Sequence, residues 1–139
     1  MSGYWIKTVL ASLLLGTGLV SFLTMMARFG RPGDEFRSER LRRRHKIAGY
    51  VFIALLAPLA YFGAGFLMEM GDGLSPRGTF HFVLAMALVA VLLLKFLIVK
   101  TYRQLLRYAT TLGMTLFSLT LVIFLITAGF FILQNLAAD

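Results

Sequence analysis

The chain alternates between long apolar runs and short segments that hold most of its charged residues. Four runs carry little or no charge, at residues 8–27, 47–68, 79–99 and 108–138, and Lys95 alone interrupts the third. A helix needs about 20 apolar residues to cross the hydrocarbon core of a bilayer, and each run meets that length. Strands of a membrane barrel would be about half as long and would alternate in polarity, which these runs do not.

This pattern predicts a single all-α domain over residues 1–139, an integral membrane four-helix bundle. We place the helices near residues 4–27, 46–69, 79–103 and 108–136, with a basic loop at 28–45. Composition agrees, because 59% of the residues are hydrophobic and only 14% are charged, whereas about a quarter are charged in soluble domains. We interpret the first run as a span and not a cleaved signal, since its apolar core is long and a clear cleavage site is missing before Arg28.

The positions of the basic residues predict the direction of the helices. Residues 28–46 contain eight Lys or Arg, the third connection has Lys100, Arg103 and Arg107, and the second connection has only Arg77. Short loops rich in Lys and Arg remain cytoplasmic. Both termini are therefore expected on the periplasmic side of a bacterial inner membrane. The net charge of +8 is then a topology signal, and nucleic acid is excluded as a partner.

Two further features concern the second helix. Residues 34–46, just before it, are expected to form a short surface helix capped by Asp34. Small residues mark helix contacts in lipid, so we expect the second helix to be central. Its small residues are Gly49, Ala54, Ala57, Ala60, Gly63, Ala64 and Gly65.

Polar residues of all four helices are expected at one depth, in the cytoplasmic half of the membrane. On the first and fourth helices they follow i, i+4, i+7 spacing, so each set lines one face. The hydroxyls have two interpretations: bonds to carbonyls of their own helices, or a pocket for a quinone head group or haem propionates. The residues are Thr17, Ser21, Thr24, His45, Tyr50, Lys95, Tyr102, Thr111, Thr115 and Ser118.

Lys95 also has two interpretations. A lysine within a membrane span is costly and usually faces the bundle interior or a partner, which favours a functional role. Lys95 also lies five residues before Lys100, so its long stem can extend to the cytoplasmic interface.

The two histidines are the candidate haem or metal ligands, because a neutral imidazole can bind haem iron from a membrane helix. His45 begins the second helix on the inner side and His81 begins the third on the outer side. Ligands of one iron lie within about 4 Å, since each metal–nitrogen bond is about 2 Å, so the two are not expected to share a haem. His81 has Met68 or Met70 as a candidate partner. His45 has Met25, Met26 or Met114. A purely structural role for each histidine is the alternative.

Residues 44–52 and 77–81, the latter followed by an apolar helix with Lys95 and Lys100, resemble small four-helix membrane domains of b-type-cytochrome character. Such domains accompany c-type cytochromes and other respiratory electron-transfer modules in bacteria. The resemblance covers residues 41–131 and implies electron transfer with haem b. The chain has no cysteine, so a covalently bound c-type haem would have to belong to another chain.

These features predict a membrane subunit of an electron-transfer complex of respiratory or photosynthetic type. It would bind haem b, a quinone or both, or anchor a cytochrome partner. The alternatives are a structural or assembly subunit without a cofactor, and a transporter or channel formed by a homo-oligomer. An ordinary enzyme is disfavoured, because nucleophile–base pairs, phosphate-binding glycine loops and catalytic carboxylate pairs are missing from the sequence.

Overall fold

The computed structural model describes the backbone of residues 2–29 and 35–138 and the side chains of residues 3–29 and 38–138. Within these residues the protein consists of helices and turns, without strands. The α-helices are α1 (Ser2–Phe29), α2 (Glu35–Met70), α3 (Pro76–Lys100), α4 (Ala109–Phe124) and α5 (Phe130–Leu136). Short 3-10 helices at Gly71–Gly73 and Arg103–Tyr108 precede α3 and α4, and a π-helical segment, Leu125–Gly129, joins α4 to α5.

Four helical rods are long and apolar enough to cross a membrane: α1, α2, α3, and the rod that runs from Arg103 to Leu136. The all-helical fold class and the number of long apolar helices are thus confirmed. The described side chains form only a small core, since none is completely buried. Large apolar side chains such as Trp5, Leu93 and Leu133 instead cover the outside.

The basic segment before the second apolar run is helical, as expected for residues 34–46, but it is part of α2 and is neither a loop nor a separate surface helix. Residues 35–45 form the first turns of α2 and continue into its apolar part without a break. Arg, Lys, Glu and Leu favour helix, and neither Gly nor Pro occurs between Glu35 and Lys46. Glu39 and Arg43 also stand at i, i+4, which favours helix. Asp34, the expected cap, lies outside the described residues.

In the turn between α2 and α3, a residue that ends α2 is followed within a few residues by a cap that begins α3. Gly71 has a φ of +50°, the left-handed conformation that ends many helices. Ser75 then caps α3, because its Oγ accepts a hydrogen bond from the Gly78 amide at 3.1 Å, and Pro76 occupies the first helical position. This serine–proline pair places the start of α3 three residues before the predicted boundary.

α1 and α4 are the two inner helices, because α1 packs against α2 and α4, and α4 packs against α1 and α3. Gly18 of α1 lies at this packing, since a Cβ added there would be in ordinary contact with the Phe52 ring of α2, at 3.4 Å, and the Phe117 ring of α4, at 3.8 Å. Phe22 adds a stacked contact to Phe117, with ring centroids 4.8 Å apart. α4 in turn packs against α3, whereas α2 and α3 have little contact with each other. α2 and α3 are therefore the two outer helices of the arrangement.

The prediction that α2 is central is wrong. α2 packs mainly against α1 and buries Ala48 and Phe52 there. The large Phe52 ring of α2 packs against Gly18 of α1. The small residue in this contact is therefore on α1 and not on α2. Of the small residues that suggested a central α2, Gly49 is half-buried and the others are exposed: Ala54, Ala57, Ala60, Gly63, Ala64 and Gly65.

The first turns of α1 and the last turns of α5 lie at one end of the helices. Phe131 has its ring centroid 6.1 Å from that of Tyr4 and 5.6 Å from that of Trp5, and the Arg77 guanidinium lies 3.5 Å from the Phe130 centroid. We call this the terminal end. The opposite end holds Arg28, the first turns of α2, Lys100 and the Arg103–Tyr108 turn, and we call it the basic end.

Candidate functional site

His45 is held against α1 by a hydrogen bond that fixes its tautomer. Its Nδ1 lies 2.9 Å from the backbone oxygen of Ser21 and 3.0 Å from the Ser21 hydroxyl. A carbonyl oxygen can only accept, so Nδ1 carries the proton and donates it. The other ring nitrogen, Nε2, therefore keeps its lone pair. This is the arrangement that orients a histidine for binding a metal or accepting a proton.

The Ser21–His45 contact differs from the other hydroxyl contacts of the long helices. Thr17, Thr24 and Thr115 donate to carbonyls three or four residues earlier in their own helices. For these three threonines the interpretation as bonds within one helix is confirmed. In the part of the chain that the structure describes, His45 and Ser21 make the side-chain hydrogen bonds that join two helices.

Lys95 reaches the same region from α3. It packs over Gly113 of α4, because a Cβ added to that glycine would lie 3.1 Å from Lys95 Nζ and 3.5 Å from Met25 Sδ. Met25 stands one turn after Ser21 on α1. Lys95 and Arg28 are also the cationic side chains near enough to His45 to act on it electrostatically.

These residues form a site to which all four long helices contribute. We call it the His45–Lys95 cluster. It comprises Ser21, Met25, His45, Lys95 and Gly113. Sequence reasoning placed Ser21, His45 and Lys95 at a common depth and named Met25 as a candidate partner of His45, but it did not identify Gly113. The sequence signal that could have identified Gly113 is a glycine in an apolar helix at the level of Lys95. A side chain at that position would fill the space that Lys95 occupies.

Several predicted site residues lie elsewhere. Tyr50 is 52% exposed and Met26 is 43% exposed, so neither is buried with His45. Met114 is also exposed and lines a surface groove. Of the three methionines considered as partners of His45, Met25 is the one that the structure brings into the cluster.

His81 lies on the same face of α3 as Lys95 but near the terminal end. Fourteen residues separate them, which is about 21 Å along a helix. Because Lys95 is near His45, the two imidazoles are too far apart to bind one iron. Met68 is 85% exposed, so it does not pack against His81. The Nδ1 atom of His81 is buried and has no hydrogen-bond partner among the described residues.

The polar face of the fourth rod does not join the cluster. Thr111, Thr115 and Ser118 do share one face, but that face is exposed and lines an open groove of ≈ 340 Å³. Of the two interpretations of the hydroxyls, a common interior pocket is therefore wrong for these three residues. α4 instead packs inward with Leu116 and Thr120, whose apolar and methyl surfaces fit the contact with α1 better than a row of hydroxyls.

The described residues contain no group of three or more histidine or carboxylate side chains that could hold a metal ion. The fold and the cluster thus define an all-helical protein with four helices that are long and apolar enough to span a membrane. Comparison with protein families, with curated proteins and with solved structures finds no match.

Proposed function

We propose that this chain is an integral membrane subunit of an electron-transfer complex and that the His45–Lys95 cluster binds the head group of a membrane quinone. The observation that carries the proposal is the oriented imidazole of His45, with a free Nε2, at the level where the Lys95 ammonium packs over Gly113 next to Met25. Four long apolar helices and an apolar outer surface support insertion in lipid.

The charge distribution supports one orientation in the membrane. Arg28, Arg40, Lys100 and Arg107 all lie at the basic end, and short basic segments remain in the cytoplasm. The terminal end then faces the periplasm of a bacterial inner membrane. In this orientation the His45–Lys95 cluster lies in the cytoplasmic half of the bilayer, within reach of protons from the cytoplasm.

The chemistry of the cluster suits a quinone. The carbonyl oxygens of a quinone accept hydrogen bonds, and the Lys95 ammonium can only donate them. The free Nε2 of His45 accepts a hydrogen bond from the hydroxyl group of the reduced form. Because α2 and α3 have little contact, a lipid-soluble ligand can approach from the bilayer through the side between them.

Haem b is a second candidate ligand of the same cluster, and the geometry of His45 favours it. A histidine whose Nδ1–H donates to a backbone carbonyl presents Nε2 as an iron ligand. Met25 supplies a thioether in the same cluster, and methionine is a known second haem ligand. Lys95 would then pair with a haem propionate. The donor set therefore fits haem as well as quinone, and the experiment must separate the two.

The test uses the purified full chain, quinone titration and optical spectra. We expect Lys95→Met and His45→Ala to weaken quinone binding by at least about ten-fold, a loss of about 1.4 kcal/mol. Lys7→Met and His81→Ala are matched controls, because both lie near the terminal end, and they should change the affinity by less than about two-fold. A Soret band that His45→Ala abolishes would assign haem b to the cluster instead of quinone.

Two results would overturn the proposal. One is a chain that binds neither quinone nor haem. The other is a double variant, His45→Ala with His81→Ala, that leaves assembly and electron transfer of the native complex intact. Either would identify the chain as a structural or assembly subunit without a cofactor.

A further inference from the structure

A second feature, separate from the His45–Lys95 cluster, is the groove along α4, whose lining is mainly apolar and includes three hydroxyl side chains. It is formed by Thr111, Met114, Thr115, Ser118, Leu119 and Val122 of α4, with Leu84 of α3 as one wall. Its volume is ≈ 340 Å³, and it is open along its length. Met114 and Val122 are exposed in it, so the groove forms part of the outer surface of the protein.

One end of the groove lies beside basic residues. Thr111 lies one helical turn after Arg107, which is near the end of the Arg103–Tyr108 turn. That turn contacts both α3 and α4 and thus lies over the end of the groove between them. Lys100, Arg103 and Arg107 are all exposed there, and no acidic residue occurs between Asp72 and the last residue, Asp139. The mouth of the groove therefore carries a local excess of positive charge.

We propose that this groove binds one anionic phospholipid, with an acyl chain along α4 and the phosphate head group at Arg103 and Arg107. Charge complementarity selects an anionic head group, since Arg forks hold phosphate oxygens with paired hydrogen bonds. The inference rests on insertion of the chain in a membrane but not on the quinone site.

The length of the groove fits one acyl chain. Thr111 and Val122 are eleven residues apart, which is about 16 Å along the helix. A single leaflet is about 15 Å deep, half of a hydrocarbon core of about 30 Å. The groove thus runs from the cytoplasmic interface to the middle of the bilayer, the depth that one lipid tail occupies. The side chains of Thr111, Thr115 and Ser118 are smaller than those of Leu or Phe, so they leave room for an acyl chain in the groove.

The test is native mass spectrometry of the purified chain with phosphatidylglycerol or phosphatidylcholine. We expect phosphatidylglycerol to be retained at least about ten-fold more strongly. The double variant Arg103→Gln with Arg107→Gln should abolish that preference. Arg42→Gln with Arg43→Gln is the matched control, because it removes the same charge from exposed positions of α2 at the same end, and it should keep the preference.

A second pair of variants tests the groove without changing the charge. Ser118→Phe fills the groove and should lower phosphatidylglycerol retention by at least about ten-fold, whereas Ser12→Phe, at an exposed position of α1, should not. If Ser118→Phe does not fold, Met114→Phe fills the same groove and is judged by the same criterion. The proposal is overturned if both arginine pairs lose the preference equally, if the filled groove retains the lipid, or if both lipids bind alike.

Discussion

At the scale of single residues, the decisive contact is the hydrogen bond from His45 to Ser21. The sequence marks both residues as polar positions at one level of the helices, and the contact between them confirms that shared level. The sequence does not predict that His45 and Ser21 form a hydrogen bond with each other. Whether a serine hydroxyl bonds its own helix or another depends on which helix lies opposite, and apolar helices carry little information on that point.

This contact predicts unequal effects of its two partners. His45→Phe keeps an aromatic ring but loses the Nδ1 donor, and we expect it to lower the free energy of unfolding in detergent by about 1 kcal/mol. Ser21→Ala should lower the free energy of unfolding by about half of that or less, because the backbone oxygen of residue 21 still accepts the hydrogen bond from His45.

Thr17→Ala is the control for this pair, since its hydroxyl bonds only to Leu14 of its own helix, and it should have little effect. Unfolding titrations with a denaturing detergent measure all three variants. An effect of Ser21→Ala as large as that of His45→Phe would contradict the proposed donor.

Gly113 gives a second prediction at this scale. A large side chain there must displace Lys95 and Met25, whose atoms lie 3.1 and 3.5 Å from an added Cβ. We expect Gly113→Leu to lower the free energy of unfolding by about 1–3 kcal/mol, the usual range for overpacking. Gly16→Leu is the matched control, because nothing lies within 4 Å of its added Cβ. Equal unfolding midpoints for the two variants would show that Gly113 is not a close contact.

At the scale of elements, the sequence predicts the four apolar rods well and their ends less well. α3 begins at Pro76 rather than at residue 79, because Ser75 and Pro76 form a helix cap. Hydropathy alone does not detect such a cap. α2 extends to Glu35 because charged residues that signal a loop are also good helix formers. The π-helical segment, Leu125–Gly129, is not visible in the hydropathy pattern, since only Thr127 among its residues is polar.

The end of α2 supplies a prediction for a single element. Gly71 has a φ of +50°, and a side chain in the left-handed region costs roughly 1–2 kcal/mol. We expect Gly71→Ala to lower the free energy of unfolding by that amount. Gly73→Ala, two residues later with open space around it and no positive φ, should be close to neutral. Thermal unfolding of both variants compares them directly, and a stable Gly71→Ala protein would argue against a left-handed helix end.

At the scale of the whole molecule, the order of the helices was the main surprise. Small residues on α2 suggested a central helix, yet α1 and α4 are the inner helices and Gly18 of α1 contacts the Phe52 ring of α2. Hydropathy cannot rank the faces of a helix that is apolar all round. Few close backbone contacts join α2 to α3, and the proposed access of the His45–Lys95 cluster to ligands in the bilayer is between these two helices.

The direction of the whole molecule in the membrane is the last prediction. The chain has no cysteine, so single cysteines introduced by substitution can each be labelled alone. We expect Asp72→Cys, at the terminal end, to react with a membrane-impermeant maleimide on intact spheroplasts, and Gln104→Cys, at the basic end, to react only after lysis. Labelling of the denatured protein is the control for reactivity. The reverse result would place the His45–Lys95 cluster in the periplasmic half of the bilayer, and its protons would then have to come from the periplasm.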